Sequence, residues 1–415
     1  MIVNATPKTR FFRVLLACAY VLGSEVLLRM THGNFFYEIA KYLVIVFVLL
    51  GMLFEGFKMK ALPYFLYILL LVPGIFVLGT SVSYDTNIRT AIAFNLSGPI
   101  CLGVSALYCY DKPITFKNLK TVLFYAALPL ISTTCYLVLF TPSVRDVVTG
   151  TFSNFATSGG YGPNQVATVL GLGMFIMTTR FFLDSKGLML KILNLALLGF
   201  VAYRGVVTFS RGGIITGVVI IIAFLGIYYI SSVKVNRPRI VKYIALLFGA
   251  FLVLWVITSI QTRGFIDKRY ANQDAAGRSK DDLTTGRTDL VSFEFYEFIK
   301  HPFFGVGVGK VKELRIQKEG EEAASHNEVS RIFAEHGLFG VVALLLLLFV
   351  PLFYRLKNRR NIFFYSFYLF WFLTINHSAM RIAAPAFIYA MTLLNVKHKS
   401  IEKASIHRKP SVSKG

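Results

Sequence analysis

The sequence predicts an all-α polytopic membrane protein with about twelve transmembrane helices and one large polar loop that contains short helices. Three observations support this fold class. The 415 residues are 55% hydrophobic and only 16% charged, whereas a soluble domain carries about 25% charged residues. Apolar runs recur along the chain at the length of roughly 20 residues that a spanning helix needs. One polar stretch, residues 259–337, interrupts these runs near the C-terminal end.

Twelve apolar runs are predicted to cross the bilayer. They cover residues 11–29, 37–54, 62–80, 91–110, 119–140, 164–182, 190–209, 212–231, 241–258, 338–354, 361–376 and 382–396. Glu25 with Arg29, and Glu38 with Lys41, have the spacing of ion pairs within one helix, so we expect them to pair near helix ends.

The chain is therefore predicted to divide into four regions. Spans one to nine occupy residues 1–258, the polar loop follows at 259–337, and spans ten to twelve occupy 338–396. Residues 397–415 carry six Lys/Arg and form a basic tail that is expected to be disordered.

The formal net charge of +23 lies almost entirely on one side of this topology. With the N-terminus in the cytoplasm, the inner loops and the tail hold 25 Lys/Arg and four Asp/Glu, which is the positive-inside pattern. Both termini are then cytoplasmic and the 259–337 loop lies outside. Because topology explains the positive charge, the sequence argues against nucleic-acid binding.

Neither a disulfide nor a metal site is predicted. All four cysteines (Cys18, Cys101, Cys109 and Cys135) fall within predicted spans, although the outer side is the one where disulfides form. His301, His326 and His336 lack the i, i+4 spacing of a helical metal site, and no Asp-x-Asp occurs. We therefore expect no cofactor, and arginines rather than Mg²⁺ would have to neutralise any bound diphosphate.

The polar loop is predicted to contain two helices. Residues 259–286 have the composition of irregular chain, and Thr288-Asp289 then has the pattern of a helix start. This aromatic-rich helix is expected to lie on the bilayer surface and to end at Pro302. A second helix is expected from about Ala324 to His336, with Gly337 as its C-terminal cap, leading into the span at residue 338.

Two arginines are placed where a helix would bind an anion. Arg211, after Ser210 and before Gly212, occupies the first turn of the span at 212, and Ser210 is a candidate capping residue. A helix N-terminus attracts anions through its free N–H groups and its dipole. Arg287 stands just before the predicted helix start in the loop. An interfacial anchor remains the alternative for Arg211, and a solvated loop arginine the alternative for Arg287.

Two further side chains complete the candidate site. Arg204 lies two helical turns before Arg211 and on roughly the same face, with an ion-paired structural role as the equal alternative. His326 lies in the first turn of the helix that leads into the membrane, facing the bilayer surface. A neutral imidazole accepts a proton near neutral pH, although a surface histidine is the simpler interpretation of one residue alone.

Together these motifs resemble the O-antigen ligase and O-antigen polymerase family of polyprenyl-diphosphate-dependent membrane glycosyltransferases of the GT-C type. The similarity covers most of the chain in topology. In sequence it rests on Tyr161-Gly162-Pro163-Asn164-Gln165, Ser210-Arg211-Gly212, Gly286-Arg287, the segment His301-Pro302-Phe303-Phe304-Gly305-Val306-Gly307, and Ser325-His326-Asn327 with Glu335 and Gly337 following.

The resemblance implies metal-independent, inverting glycan transfer at the periplasmic face of the bacterial inner membrane. The donor would be a glycan on undecaprenyl diphosphate and the acceptor the lipid A–core oligosaccharide. By resemblance, Arg211 and Arg287 bind the diphosphate and His326 activates the acceptor hydroxyl as general base.

Other residues receive supporting roles in this interpretation. Arg204 is a further candidate for the diphosphate, and either Asn327 or Glu335 is expected to orient the imidazole of His326. Arg89, which follows Tyr84 and Asp85 in an outer loop, is a candidate for a glycan or phosphate contact.

Two alternative functions stay open at this point. The first is an O-antigen polymerase, which uses the same donor chemistry to extend a growing chain. A family member that O-glycosylates proteins is less compatible with the short tail. A secondary transporter, from a different class, fits the number of spans. The charges argue against it, since they cluster at the outer ends rather than at the bilayer midplane.

Overall fold

The chain is an all-α polytopic membrane protein, and its computed structural model describes residues 2–81, 87–280, 287–320 and 325–398. The helices are α1 Pro7–Met30, α2 Ile39–Glu55, α3 Leu62–Leu70, α4 Val72–Ser81, α5 Ile88–Cys109, α6 Phe116–Phe140, α7 Val144–Val147, α8 Pro163–Leu183, α9 Leu188–Val206, α10 Arg211–Ser231, α11 Arg237–Gln261, α12 Phe265–Tyr270, α13 Arg287–Lys300, α14 Lys310–Glu319, α15 Glu328–Lys357, α16 Phe364–His377 and α17 Ala383–Met391. Tyr84-Asp85, Gly286 and the tail from residue 399 onward lie outside the described residues.

Local sequence explains where several helices begin. Pro7 and Pro163 stand in the first turns of α1 and α8, where a missing N–H costs nothing. Asn87 and Thr115 cap α5 and α6 by accepting hydrogen bonds from the backbone N–H of Thr90 and Asn118 at 3.1 and 3.2 Å.

Nine helical segments in the described part of the chain are long and apolar enough to span a bilayer. They are Pro7–Met30, Met59–Gly79, Ile88–Cys109, Phe116–Phe140, Pro163–Leu183, Leu188–Val206, Arg211–Ser231, Lys234–Gln261 and Glu328–Lys357. Each corresponds to one of the predicted spans. The segment Met59–Gly79 includes α3 and α4, which are separate helices on either side of Leu71.

Three predicted spans are not among these nine segments. Helices α2, α16 and α17 have 17, 14 and nine residues. At about 1.5 Å per residue, α16 and α17 each fall short of the roughly 30 Å hydrocarbon core. All nine residues of α17 are buried, so its apolar composition reflects enclosure by other helices rather than contact with lipid.

The predicted last span ends early because the chain turns and forms a strand. The strand β2, Asn395–Lys397, pairs in parallel with β1, Pro113–Thr115, and Val396 lies opposite Ile114. This small sheet ties the end of the described chain to the segment between α5 and α6.

Segments that are predicted to lie on the same side of the membrane contact one another. At the end predicted to be cytoplasmic, the carboxylate of Asp111 accepts hydrogen bonds from Lys58 at 2.7 Å, from Asn395 at 3.0 Å and from Tyr354 at 3.2 Å. These four residues come from four separate inner loops or their helix ends. Which end faces the cytoplasm stays a prediction from the charge pattern.

The predicted ion pairs near helix ends are present and buried. Arg29 contacts Glu25 at 2.5 Å and Lys41 pairs with Glu38. Both pairs hold the turn between α16 and α17. Glu25 accepts a hydrogen bond from the backbone N–H of Ala383 at 2.7 Å, and Lys41 donates to the carbonyl of Met380 at 3.3 Å.

In its described residues, the polar loop contains the two helices that the sequence predicted and two others. The second predicted helix begins at Glu328, so His326 precedes the helix rather than lying in its first turn. Helix α13 ends at Lys300, just before Pro302. Helix α15 runs through a non-helical Gly337 with φ 59° and ψ −137°, which separates residues 328–336 from the membrane span. The short α12 lies in a region predicted as irregular, and α14 carries no apolar repeat that would have indicated it.

Candidate active site

The N-terminus of α10 brings the Ser210-Arg211-Gly212 motif against α8 and α16. Ser210 precedes the helix but donates to the side chain of Asn164 at 2.8 Å, and it forms no capping hydrogen bond. A Cβ on Gly212 would lie 2.6 Å from the ring of His377. The motif therefore serves close packing, with glycine allowing the histidine ring to approach the helix backbone.

Arg211 extends toward the polar loop and meets α12. Its guanidinium lies 3.4 Å from the carbonyl oxygen of Arg269 and 3.4 Å from the side-chain oxygen of Asn272. Arg269 is itself 9% exposed and donates to the carbonyl of Phe209 at 3.0 Å. The start of α10 and the short α12 thus bring two guanidinium groups close enough for their charges to repel each other.

Arg287, at the start of α13, joins this pair. Burial, followed by the positive charges of Arg211 and Arg287, lowers the pKa of Arg269 to about 10. Burial also lowers the pKa of Arg287, with added repulsion from Arg211 and Arg381. Guanidinium groups that repel one another in a partly dry environment are stabilised by a bound anion.

Arg381 comes from the turn between α16 and α17, and it links the arginines to His326. Its guanidinium donates to the carbonyl of Ser325, while the backbone N–H of Ala379 donates to the carbonyl of His326 at 3.1 Å. The carbonyl of Arg381 accepts from the buried Arg29 at 3.3 Å. We refer to Arg211, Arg269, Arg287 and Arg381 as the arginine cluster.

His326 lies beside this cluster and is neutral at pH 7. Its pKa is lowered to about 4, first by burial and then by the positive charges of Arg381 and Arg287, with a smaller effect of His377. A neutral imidazole has a free nitrogen lone pair and accepts a proton from a hydroxyl group. The negative charge of a bound diphosphate would offset the positive charges that lower the pKa of His326.

The glycine-rich segment holds the helix that follows His326. The backbone N–H groups of Val306 and Gly307 donate to the carbonyls of Ala334 and Glu335 at 2.8 and 3.1 Å. The N–H of Leu338 reaches the carbonyl of Pro302 at 2.7 Å. The motif at 301–309 therefore acts as a scaffold for residues 328–336.

Asn327 and Glu335 have structural contacts of their own. The side chain of Asn327 caps α15 by accepting from Val329 at 2.9 Å and Ser330 at 3.3 Å. Glu335 pairs with Arg331 at 2.8 Å and accepts from the N–H of Gly309 at 2.9 Å. These bonds fix the helix that carries the histidine segment, and they do not involve the imidazole.

The remaining candidates are Arg204 and Arg89. Arg204 is 4% exposed and donates to the hydroxyl of Thr141 at 2.7 Å and to the carbonyl of Thr157 at 2.8 Å, which ties two loops together as its structural alternative implies. Arg89 is exposed in the first turn of α5.

Sequence reasoning missed Arg269, Arg381 and His377. A signal was available for Arg381, which lies in a short outer loop with few other Lys/Arg, but not for Arg269, which is one of twelve Lys/Arg in residues 259–337. His377 is the last residue of an apolar run, and only its contacts in the structure indicate a role. Its Nε2 lies 3.2 Å from the hydroxyl of Thr168, and its ring packs against Gly212.

The arrangement combines anion-binding groups with a proton acceptor. Within the described residues, no group of three His, Cys, Asp or Glu side chains is placed to hold a metal ion. Guanidinium groups at a helix N-terminus are suited to the oxygens of a phosphate or diphosphate, and the imidazole is suited to removing a proton beside it.

Part of the chain matches a known protein family. Residues 195–345 match the sequence model of a family described as O-antigen ligase. The matched segment runs from α9 to the middle of α15 and includes Arg211, Arg269, Arg287 and His326. No curated protein matches the chain.

Proposed function

We propose that this protein, whose residues 195–345 match the O-antigen ligase family, transfers a glycan from undecaprenyl diphosphate to a lipid A–core acceptor. The reaction would take place at the periplasmic face of the bacterial inner membrane. The observation that carries the proposal is the meeting of His326 with the arginine cluster from four separate segments of the chain.

In the proposed reaction the arginine cluster binds the diphosphate of the donor. As the bond between the anomeric carbon and the diphosphate oxygen breaks, negative charge builds on the leaving group. Arg211 and Arg287 stabilise that charge in a partly dry site, where such contacts are strongest. Arg269 and Arg381 add two further positive charges.

His326 then acts as the general base. The acceptor hydroxyl attacks the anomeric carbon from the face opposite the diphosphate, which inverts its configuration, and the hydroxyl proton passes to the imidazole. General-base help contributes roughly 10²–10⁴-fold to the rate. Because the arginines supply the positive charge, the reaction requires no divalent cation.

A reconstituted transfer reaction tests this proposal. Purified protein is mixed with carrier-linked glycan and lipid A–core in the presence of EDTA, and the product is separated on a gel. We expect ladder-forming product with the wild-type protein and a loss of roughly 10²-fold or more with His326→Ala. Normal product from the variant would refute the role of His326.

The same reaction separates a ligase from a polymerase. Glycan joined to lipid A–core identifies a ligase, whereas lengthening of the carrier-linked glycan with the core left bare identifies a polymerase. The donor chemistry assigned to Arg287 and His326 is common to both.

A further inference from the structure

The turn between α16 and α17 is held by charged side chains from three other helices. Lys41 of α2 donates to the carbonyl of Met380 at 3.3 Å. Arg29 of α1 donates to the carbonyl of Arg381, also at 3.3 Å. Glu328 of α15 accepts a hydrogen bond from the backbone N–H of Met380 at 3.3 Å. Both polar main-chain groups of Met380 are therefore bonded to charged residues.

These three charged side chains are buried. The exposed fractions are 0% for Lys41, 1% for Glu328 and 6% for Arg29. Each is paired with an opposite charge three or four residues away along the chain, and a buried charge requires such a partner. Because a buried ion pair is often no more stabilising than apolar residues of the same volume, the contacts to the turn indicate that the pairs serve to fix its conformation.

Close packing and backbone strain support this interpretation of the turn. A Cβ on Gly98 of α5 would lie 2.5 Å from the carbonyl oxygen of Met380 and 2.6 Å from its Cβ, so the helix backbone lies directly against the turn. Ala379 has φ +50°, in the left-handed region that non-glycine residues rarely adopt. Such a conformation persists where the surrounding contacts determine it.

The turn connects two parts of the proposed active site. The guanidinium of Arg381 donates to the carbonyl of Ser325. Two residues earlier, the backbone N–H of Ala379 donates to the carbonyl of His326 at 3.1 Å. The conformation of the turn therefore sets where one guanidinium of the arginine cluster lies relative to the histidine.

We propose that Lys41 is a positioning residue for the donor diphosphate. Through the carbonyl of Met380 it fixes the turn, and the turn holds the guanidinium of Arg381 beside His326. This role rests on the function proposed above, and it requires no contact between Lys41 and the substrate. It extends the functional part of the chain to α2, outside the segment that matches the family.

A double-mutant cycle tests whether Lys41 acts through Arg381. The affinity for undecaprenyl diphosphate is measured by titration of the purified full-length Lys41→Met, Arg381→Ala and doubly substituted proteins. We expect Arg381→Ala to weaken binding roughly 10–100-fold and Lys41→Met to weaken it roughly threefold or more. The double variant should bind no more weakly than Arg381→Ala, because residues that act through one another are not additive.

Lys112→Met is the matched control for the loss of a paired lysine. Lys112 lies 3.3 Å from the carboxylate of Glu55 in a segment predicted to be cytoplasmic, and its replacement should leave the affinity unchanged.

Gly98→Ala is a second variant that disturbs the turn without changing a charge, and the same cycle with Arg381→Ala is measured for it. Its matched control is Gly103→Ala on the same helix. The added methyl group there would lie 2.6 Å from the side chain of Ile68 rather than against the turn.

The pH profile separates positioning from a general loss of structure. Burial and the positive charges of Arg381 and Arg287, with a smaller effect of His377, lower the pKa of His326 to about 4. Displacing Arg381 removes part of this effect, so the acid limb of kcat/KM for the donor should move to higher pH in Lys41→Met, in Gly98→Ala and in Arg381→Ala. A purely structural defect would lower the rate without moving the limb.

Equal losses of affinity from Lys41→Met in the wild-type and Arg381→Ala backgrounds, with an unmoved acid limb, would overturn the proposal. Wild-type affinity in both Lys41→Met and Gly98→Ala would also overturn it. If Arg381→Ala itself binds undecaprenyl diphosphate as the wild type does, the arginine cluster is wrongly assigned, and the proposed function fails together with the role of Lys41.

Discussion

At the scale of single residues, the behaviour of His326 depends on whether the arginine cluster holds an anion. Burial, and then the positive charges of Arg381 and Arg287, disfavour the imidazolium form and lower the pKa of His326 to about 4. A bound diphosphate offsets these charges and favours the imidazolium, so donor binding raises the pKa. The histidine becomes a stronger base when its substrate is present.

This coupling predicts two different pH profiles. The base must be unprotonated, so activity falls as the pH drops through its pKa. The acid limb of kcat/KM for the donor reports the free enzyme. We expect it to lie well below pH 6.5, which is about the ordinary pKa of histidine. The acid limb of kcat, which reports the complex, should lie at higher pH. Coincident acid limbs would contradict the coupling.

Arg287 is predicted to contribute directly to donor affinity. Hydrogen bonds to charged groups contribute about 1.5–3 kcal/mol, so Arg287→Ala should weaken binding of undecaprenyl diphosphate by roughly 10–100-fold. Arg278→Ala is the control, since Arg278 lies in the same loop with a side chain that is 82% exposed. Equal affinities for the two variants, measured by titration of purified protein, would remove Arg287 from the site.

At the scale of elements, the sequence predicted the parts of the polar loop that have strong local signals. The end of α13 before Pro302 and the break at Gly337 follow from proline and glycine chemistry. Helix α14 was not predicted because its residues are mostly charged and lack an apolar repeat. The short α17 was predicted as a longer span because apolar composition alone does not distinguish burial in protein from contact with lipid.

The glycine-rich scaffold gives a prediction at this scale. Gly305 has φ +71°, and a Cβ there would lie 2.4 Å from the carbonyl carbon of Glu335. Gly320 has nearly the same φ, +70°, with no atom of the described residues within 4 Å of its Cβ position. Left-handed backbone costs a non-glycine residue about 1–2 kcal/mol, and Gly305→Ala adds a steric clash to that cost.

We therefore expect Gly305→Ala to lower the apparent unfolding temperature in detergent more than Gly320→Ala, and to reduce transfer because residues 328–336 lose their support. Thermal unfolding followed by intrinsic fluorescence compares the two variants. Similar unfolding temperatures would show that the close packing on Glu335 contributes little to stability.

At the scale of the whole molecule, composition and charge predicted the architecture, while the convergence of the site required the structure. The arginine cluster collects residues from α10, α12, α13 and the turn after α16, and no local pattern records which of these segments meet. Arg204 illustrates the limit, since its spacing from Arg211 is helical but its guanidinium bonds to Thr141 and Thr157.

The predicted orientation is tested by labelling from outside the cell. Ala276→Cys, exposed in the polar loop, should react with a membrane-impermeant maleimide in cells whose outer membrane is permeable. Arg359→Cys, exposed after α15, should react only after the inner membrane is opened. The parent chain, with its four native cysteines, gives the background. Reaction of Arg359→Cys in cells with an intact inner membrane would reverse the assigned topology.

The central claim is that the arginine cluster and His326 form one binding site for a diphosphate, and a cryo-EM map of the protein with undecaprenyl diphosphate tests it most directly. We predict density for the diphosphate between Arg211 and Arg287, within reach of Arg269 or Arg381, and with His326 beside it. Diphosphate density elsewhere, or guanidinium groups turned away from one another with the imidazole remote from them, would contradict the account.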